Sequence, residues 1–348
     1  MSAVFFRRVG KKCGSDEVSA AARAVLEALL QNSTVGVDKE LLLKVHFGER
    51  GNRTYLKQDY YSGIIDFLTE QGCSCKYSET SVLYGGERFS SEKHIKLALS
   101  HGFDRLPIEI ADGDNGGSAC QVPVKNGKHF QFAAIAEKLA IADQTIVLSH
   151  FKGHMLAGFG GALKQLSMGF AAKGGKMAMH LGVKPRIIKW KCRNCGLCMK
   201  RCNEQAISRV GKKCFIDQNK CIGCGACFSI CPHHAVSVFT LKGIWHALFK
   251  GRFFREKLAE YASASHSGKR NIYINFVINV TPGCDCEPRP MFPCVDDIGI
   301  FASMDPVAVD SACYDAVARA GKRFRGKELL SYAEKIGVGS TAYELTEV

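Results

Sequence analysis

Cys192-Arg-Asn-Cys195-Gly-Leu-Cys198-Met-Lys-Arg-Cys202 is followed, nineteen residues after Cys202, by Cys221-Ile-Gly-Cys224-Gly-Ala-Cys227-Phe-Ser-Ile-Cys231-Pro232. Both runs have the spacing Cys-x2-Cys-x2-Cys-x3-Cys. Three closely spaced thiolates on a tight turn face one cubane, whereas the fourth cysteine, three residues on, opens a helix that leads away and reaches the other cubane. The spacing therefore assigns Cys192, Cys195, Cys198 and Cys231 to one [4Fe-4S] cluster and Cys221, Cys224, Cys227 and Cys202 to a second. A pair of zinc sites is the competing reading, but one tetrahedral zinc is satisfied by four thiolates and does not call for a three-plus-one division made twice.

Around the ligands, Gly196, Gly223 and Gly225 let backbone N–H groups approach sulfur, and Ile207 and Val236 are placed to pack on the cubanes. Asn203 stands where the first run would often carry a proline. Residues 187–237 thus resemble the bacterial two-cluster ferredoxin, which implies an α+β module relaying single electrons. Between Lys164 and Lys220 there are 14 Lys/Arg against Glu204 and Asp217, so this window carries most of the chain's net charge of +14. A basic surface beside anionic clusters fits an acidic redox partner of the ferredoxin or flavodoxin kind. Nucleic acid is not expected, because no RNP-like run or helix-turn-helix pattern accompanies the charge.

The chain has 348 residues, 46% of them hydrophobic and 23% charged, enough to bury a large core. No run of 18 apolar residues occurs, and the four basic residues of the first twelve have no apolar stretch behind them, so the expectation is a cytoplasmic protein without a membrane span. In that compartment, seventeen cysteines point to metal rather than to disulfides.

The flanks alternate in hydrophobic period. Strands are expected at 4–9, 41–47, 73–78, 108–112, 145–151 and 271–280, a short apolar piece at 298–302, and helices at 15–31 (with Ser15 as N-cap), 60–70, 91–100, 132–140, 243–264, 306–320 and 327–336. Such alternation implies an α/β fold with a parallel sheet covered by helices. The cysteine module interrupts it, which gives three segments: an α/β domain, N-terminal part, at 1–186; the ferredoxin-like insert at 187–237; and the α/β domain, C-terminal part, at 238–348.

Several further stretches carry a resemblance across nearly the whole length. Lys44-Val-His46-Phe-Gly-Glu49, Gly85-Gly-Glu-Arg88, Ala111-Asp-Gly113, Ser149-His-Phe-Lys-Gly-His154, Gly158-Phe-Gly-Gly-Ala-Leu-Lys164, Cys284-Asp-Cys286 and Asp305-Pro-Val-Ala-Val-Asp310 are similar to the DUF362 family of iron–sulfur centre proteins. The resemblance implies an α/β domain with an inserted two-cluster module, found mostly in anaerobes. The His154–Lys164 stretch is more distantly similar to the nickel-pincer lactate racemase superfamily, with His180 where a later active-site histidine would fall. Here Gly160 replaces that group's serine and Leu163 its arginine.

The pocket is expected beyond the strand at 145–151, because ligands of parallel sheets bind at the carboxyl ends of strands. His150, Lys152, His154 and Lys164 are the candidate catalytic residues, sharing a face if the strand stays extended. Gly158, Gly160 and Gly161 are candidates to present amides to a phosphate or carboxylate at the start of a helix near Ala162, and His46 is a candidate for the rim. Lys173 and Lys176 extend the positive lining toward an anionic small molecule. A flavin is a candidate cofactor on chemical grounds, since it converts two-electron into one-electron steps, although no flavin motif is present. Cys284, Cys286 and Cys294 admit two readings, a further metal or redox site, or structural thiols. The leading functional expectation is an iron–sulfur oxidoreductase that delivers electrons to this pocket. The alternative is a non-enzymatic electron carrier or cluster-handling protein using the α/β domain for docking.

Overall fold

The computed structural model describes residues 1–181, 184–202, 204–221, 226–237 and 250–348. Cys224, Gly223, Gly225, Asn203 and the first part of the helix expected at 243–264 lie outside the described residues.

Sixteen strands follow one another along the described chain. They are β1 (Ser2–Arg8), β2 (Glu40–Lys44), β3 (Ser74–Glu79), β4 (Ile108–Ile110), β5 (Ala119–Pro123), β6 (Phe132–Ala136), β7 (Thr145–His150) and β8 (Lys152–His154). After these come β9 (Gly158–Gly160), β10 (Arg186–Ile187), β11 (Ile207–Val210), β12 (Lys213–Ile216), β13 (Val236–Ser237), β14 (Ile272–Val277), β15 (Gly299–Ser303) and β16 (Tyr343–Glu347). Eight of them form one sheet in the order β16-β1-β15-β14-β7-β2-β3-β4. All neighbours are parallel except those of β15, which runs antiparallel to both β1 and β14. The chain steps outward from β2 through β3 to β4 and then returns to place β7 on the other side of β2, so the strand order reverses between β2 and β7. Such a reversal opens a crevice at the strands' carboxyl ends.

The pleat divides the apolar residues between two cores. Leu41 and Leu43 of β2, Ile146 and Leu148 of β7, and Ile272, Ile274 and Phe276 of β14 meet Val18, Ala22, Val25 and Leu29 of the Ser15–Gln31 helix on one face. Val147, Tyr273, Val277 and Phe301 meet the helices Lys250–His266, Pro306–Arg319 and Lys327–Lys335 on the other. β14 is buried at all six positions, as expected of a central strand with both faces covered. The Ser15–Gln31 and Ser91–Ser100 helices occupy their expected ranges, but Ser15 lies inside the first turn and Gly14 is the cap residue.

One expected element is wrong. Residues 132–136 are not helical: Phe132–Ala136 is a strand paired antiparallel with Ala119–Pro123, and only Glu137–Ile141 turns into helix. The signal was the turn at Asn126-Gly127, where Asn126 has φ 56°, flanked by two short apolar runs. Small apolar residues at 133–136 suit either state, and burial against the sheet's helical layer selects the hairpin.

Between Arg186 and Ser237 lies a small body with its own core. β10 pairs with β13, β11 forms a hairpin with β12, and the short helices Leu197–Lys200 and Ala226–Ile230 pack against each other. Its interior is built from Cys192, Cys198, Cys214 and Cys227 with Ile207, Ile216 and Val236.

The Gly158–Gly161 segment is fixed by close packing. Gly158 has φ +91° and lies so near the backbone of Arg325 that a Cβ would fall 2.0 Å from its carbonyl oxygen. A Cβ on Gly161 would fall 2.3 Å from Asp310 Oδ1. That carboxylate accepts from the amides of Ala162 (2.7 Å) and Leu163 (2.9 Å) and from Asn275 Nδ2 (2.7 Å). Burial pushes Asp310 up to about 6, against the pull of these donors. Asp310→Ala leaves three buried donors without a partner and lowers stability by about 3 kcal/mol or more, read from denaturant midpoints. Because the folded-state pKa stands above the ordinary 3.8, this carboxyl contributes stability fully below that value and loses it as pH rises through about 6. Asp310→Asn removes that decline from the stability–pH curve.

Candidate functional site

Loops following β2, β3 and β7 converge at the crevice where the strand order reverses, around a cavity of about 140 Å³. His46 comes from the loop after β2, and Glu79 ends β3. His154 ends β8, and Lys164 and Gln165 follow β9. The Lys173–Leu181 helix adds Lys176 and His180, and Cys286 closes the wall from the loop after β14. Phe254, from the Lys250–His266 helix, stands near both histidines, its ring 4.9 Å from that of His180 and 6.5 Å from that of His154, centroid to centroid.

The expected residues divide into two layers. His46, His154 and Lys164 line the cavity, whereas His150 and Lys152 do not. Those two turn instead to Asp285. His150 Nδ1 donates to its carboxylate at 3.0 Å, and Lys152 Nζ lies 2.7 Å from the same oxygen. His150 Nε2 also faces Ile278 O at 2.8 Å, so both ring nitrogens point at acceptors and the ring donates on both sides. Burial raises the Asp285 carboxyl, and His150 and Lys152 outweigh it, holding the group well below the usual carboxylate range. The extended face assumed for 150, 152 and 154 breaks at Phe151, where β7 ends and β8 turns away to pair with β9. His150 and Lys152 are therefore positioning residues.

The glycines are corrected as well. The amides at the start of the short helix after Gly161 already bind Asp310, an anion supplied by the chain itself, so they do not present a free anion cradle. Gly158 and Gly161 are required by the close approaches of Arg325 and Asp310, and Gly160 pairs with Lys152 in the β8–β9 ribbon.

Sequence reading passed over the charge network at the cavity floor. Glu79 Oε1 accepts from Lys44 Nζ at 2.8 Å and Oε2 from Arg88 Nη2 at 2.8 Å, with all three side chains almost wholly buried. Burial works to raise Glu79, but Lys44 and Arg88 hold it well below its ordinary value. Arg88 further reaches Glu49, which accepts from Tyr84 Oη at 2.8 Å. His46, beside these cations, is driven down to about 3 by burial and then by Arg88, so it stays neutral. Burial also brings Lys176 down to about 8, partly opposed by Asp112, which makes it a cation able to give up its proton near neutrality. The available signal was two of the quoted stretches, Lys44–Glu49 and Gly85–Arg88, whose charges meet only in three dimensions.

Cys284 is the other group whose surroundings the sequence left open. Lys164 Nζ approaches its Sγ at 3.5 Å, as does the backbone N–H of Cys286. His154 Nδ1 accepts from the amides of Leu156 (3.3 Å) and Ala157 (3.0 Å), which fixes the proton on Nε2, and the ring bonds to Cys284 from there. The Cys286 thiol lies within hydrogen-bonding reach too. Donation from Cys286 and the Lys164 charge overcome burial and hold the Cys284 thiol well below its ordinary value, while the same hydrogen bond and burial push Cys286 up. Cys294 sits apart, its Sγ donating to Val280 O at 3.1 Å.

In the small body, Cys192, Cys195, Cys198 and Cys231 line one cavity together with Cys214, Ile187 and Val236. Three come from one cysteine run and the fourth from the other. Backbone amides point at the sulfurs in matching fashion, Ala206 N to Cys202 Sγ at 3.3 Å and Ala235 N to Cys231 Sγ at 3.3 Å, with Asn194 N and Cys214 N each 3.5 Å from Cys192 Sγ. Cys214 is a fifth thiol at this cavity, donating to Asn194 Oδ1 at 3.6 Å. Among the described residues, no three His, Cys, Asp or Glu side chains group to hold a single metal ion. No helix among them is long and apolar enough to cross a membrane.

Glu79→Gln leaves Lys44 and Arg88 buried with one counter-charge removed, and is expected to cost about 3–5 kcal/mol, read as a lowered thermal midpoint.

No curated protein matches the chain significantly. Among solved structures, a crystal structure of a protein from Thermotoga maritima, a Northeast Structural Genomics Consortium target, shares 12% identity over 89% of this chain and 60% of that one, with a TM-score of 0.46. The lactate racemase apoprotein from Thermoanaerobacterium thermosaccharolyticum shares 11% identity over 80% of this chain and 51% of that one, with a TM-score of 0.38. The chain thus spans less than two thirds of either structure. A family model described as a domain of unknown function, DUF362, matches residues 41–315, which takes in the sheet apart from β1, β16 and the first residue of β2, together with the cavity and the cysteine-rich body, and the chain belongs to that family.

Proposed function

We propose that the protein is an iron–sulfur oxidoreductase whose 187–237 segment is a ferredoxin-like insert. Cys192, Cys195, Cys198 and Cys231 hold one [4Fe-4S] cluster, and Cys221, Cys224, Cys227 and Cys202 hold the other. The observation that carries this reading is the shared cavity of Cys192, Cys195, Cys198 and Cys231, whose members come from both runs in the crosswise division that the spacing requires. The amides aimed at Cys192, Cys202 and Cys231 fit thiolates bound to a cluster, since such donors stabilise anionic sulfur. When bound, the clusters supply single electrons. Arg186, Lys189, Arg193, Lys200, Arg209, Lys212 and Lys220 are exposed on this body and suit docking of an acidic redox protein.

The helix Ala226–Ile230, which carries Cys227, packs against the Lys173–Leu181 helix that gives Lys176 and His180 to the sheet-end cavity. That contact links the proposed relay to the proposed reaction site. At the cavity, Lys164, Lys176 and Arg88 outnumber Glu79, which favours an anionic ligand. The space, about 140 Å³, is below the ~300–1,000 Å³ usual for drug-sized ligands and favours a small molecule over a whole flavin. His46 and His154 add two neutral imidazoles to its wall.

Anaerobically purified protein is expected to be brown, with roughly eight irons per chain. Cys192→Ala/Cys231→Ala retains about half the iron, whereas Cys192→Ala/Cys202→Ala depletes both sites; zinc in place of iron, or the opposite pairing, overturns the assignment. With reduced protein titrated against small anionic acceptors, Lys164→Ala slows oxidation by the reactive acceptor about tenfold or more, whereas unaltered rates mean a carrier that uses no pocket.

A further inference from the structure

We propose that Cys284 and Cys286 form a redox-active dithiol that reduces the disulfide of a small thiol compound in the sheet-end cavity. The inference rests on reading that cavity as the reaction site and is independent of the clusters.

Two donors approach Cys284 Sγ at 3.5 Å, Lys164 Nζ and the backbone N–H of Cys286. A cation and an amide directed at one sulfur favour its thiolate form. Lys164 keeps it charged, and the amides of Leu156 and Ala157 lock the His154 ring into the tautomer that donates toward it. Cys286 lines the cavity, while Cys284 lies behind it and is buried. The intervening Asp285 is clamped by His150 and Lys152, so the two sulfurs are presented from a fixed turn. A charged carboxylate with two buried cationic partners is far more anchoring than a loop that merely carries incidental thiols requires.

These positions assign the steps. Cys286 gives its proton to the Cys284 thiolate and attacks one sulfur of the incoming disulfide, whose S–S bond breaks and releases one thiolate. Cys284 then passes that proton to the departing thiolate and attacks Cys286 Sγ, forming the Cys284–Cys286 bond and releasing the second thiolate. Two electrons pass from the cysteine pair to the substrate, and one disulfide is exchanged for another. The positive lining by Lys176 favours disulfides that carry carboxylates.

Dithiodiglycolate, a small disulfide carrying two carboxylates and of a size suited to the ~140 Å³ cavity, serves as the probe for anaerobically purified full-length protein. Samples are quenched with iodoacetamide and followed by peptide mass spectrometry, with iron content and optical spectrum recorded in parallel so that cluster loss is read separately. The wild type is expected to yield the internal Cys284–Cys286 disulfide while Cys294, in the neighbouring sequence, stays alkylated. Cys284→Ser is expected to accumulate a mixed disulfide on Cys286. Lys164→Gln slows formation of the internal bond at least tenfold at neutral pH and moves its pH profile upward, whereas Lys164→Arg retains the rate. Alkylation of both cysteines as free thiols after exposure, with oxidation elsewhere in the chain or none, overturns the proposal. So does a mixed disulfide with the probe on Cys284 in preference to Cys286, or a pH profile unaffected by Lys164→Gln.

Discussion

A carboxylate cannot remain charged in a protein interior unless cations meet it there, and Asp285 satisfies that condition by drawing His150 and Lys152 to itself. The carboxylate stands in the loop after β14, and its partners stand at the end of β7 and the start of β8. One ionic cluster therefore ties three segments together at the carboxyl edge of the sheet. Cys284 and Cys286, on either side of Asp285, have little freedom left, and Lys164 and His154 find the sulfur already in place.

Charge is distributed around the cavity in a graded way. On the β2–β3 side, Glu79 is shared between Lys44 and Arg88, so those cations are largely spent on holding the loops. On the β8 side, Lys164 faces a sulfur rather than a carboxylate. Sulfur is a softer partner than a carboxylate, so the cation on this side is held less firmly than those on the other. The helix N-terminus after Gly161, a natural place for a ligand's phosphate, is instead filled by Asp310. A ligand here must be recognised by side chains.

The reversal of strand order between β7 and β2 explains why the cavity lies where it does. Connections leave in opposite directions from these two strands, so their loops diverge and leave a gap that no backbone fills. The Lys173–Leu181 helix crosses the gap on its way to the cysteine-rich body, and thereby forms part of the cavity wall while packing against the helix of Cys227. The body and the cavity thus share a wall element.

Local pattern in the sequence determined much of this protein. The cysteine spacing grouped Cys192, Cys195, Cys198 and Cys231, and these four line one cavity. The alternation of hydrophobic period located most strands and helices and, through them, the sheet edge where His46, His154 and Lys164 meet. Pattern failed where identity alone is ambiguous, as in Phe132–Ala136, whose small apolar side chains suit a strand or a helix until a partner strand is supplied. It failed again for His150, Lys152 and the glycines, which looked like ligand-binding groups because Asp285, Arg325 and Asp310 are far away in the chain. Only the folded arrangement decided which polar residue pairs with which, because a buried charge is governed by its nearest opposite in space, and separations of more than a hundred residues carry no local signal.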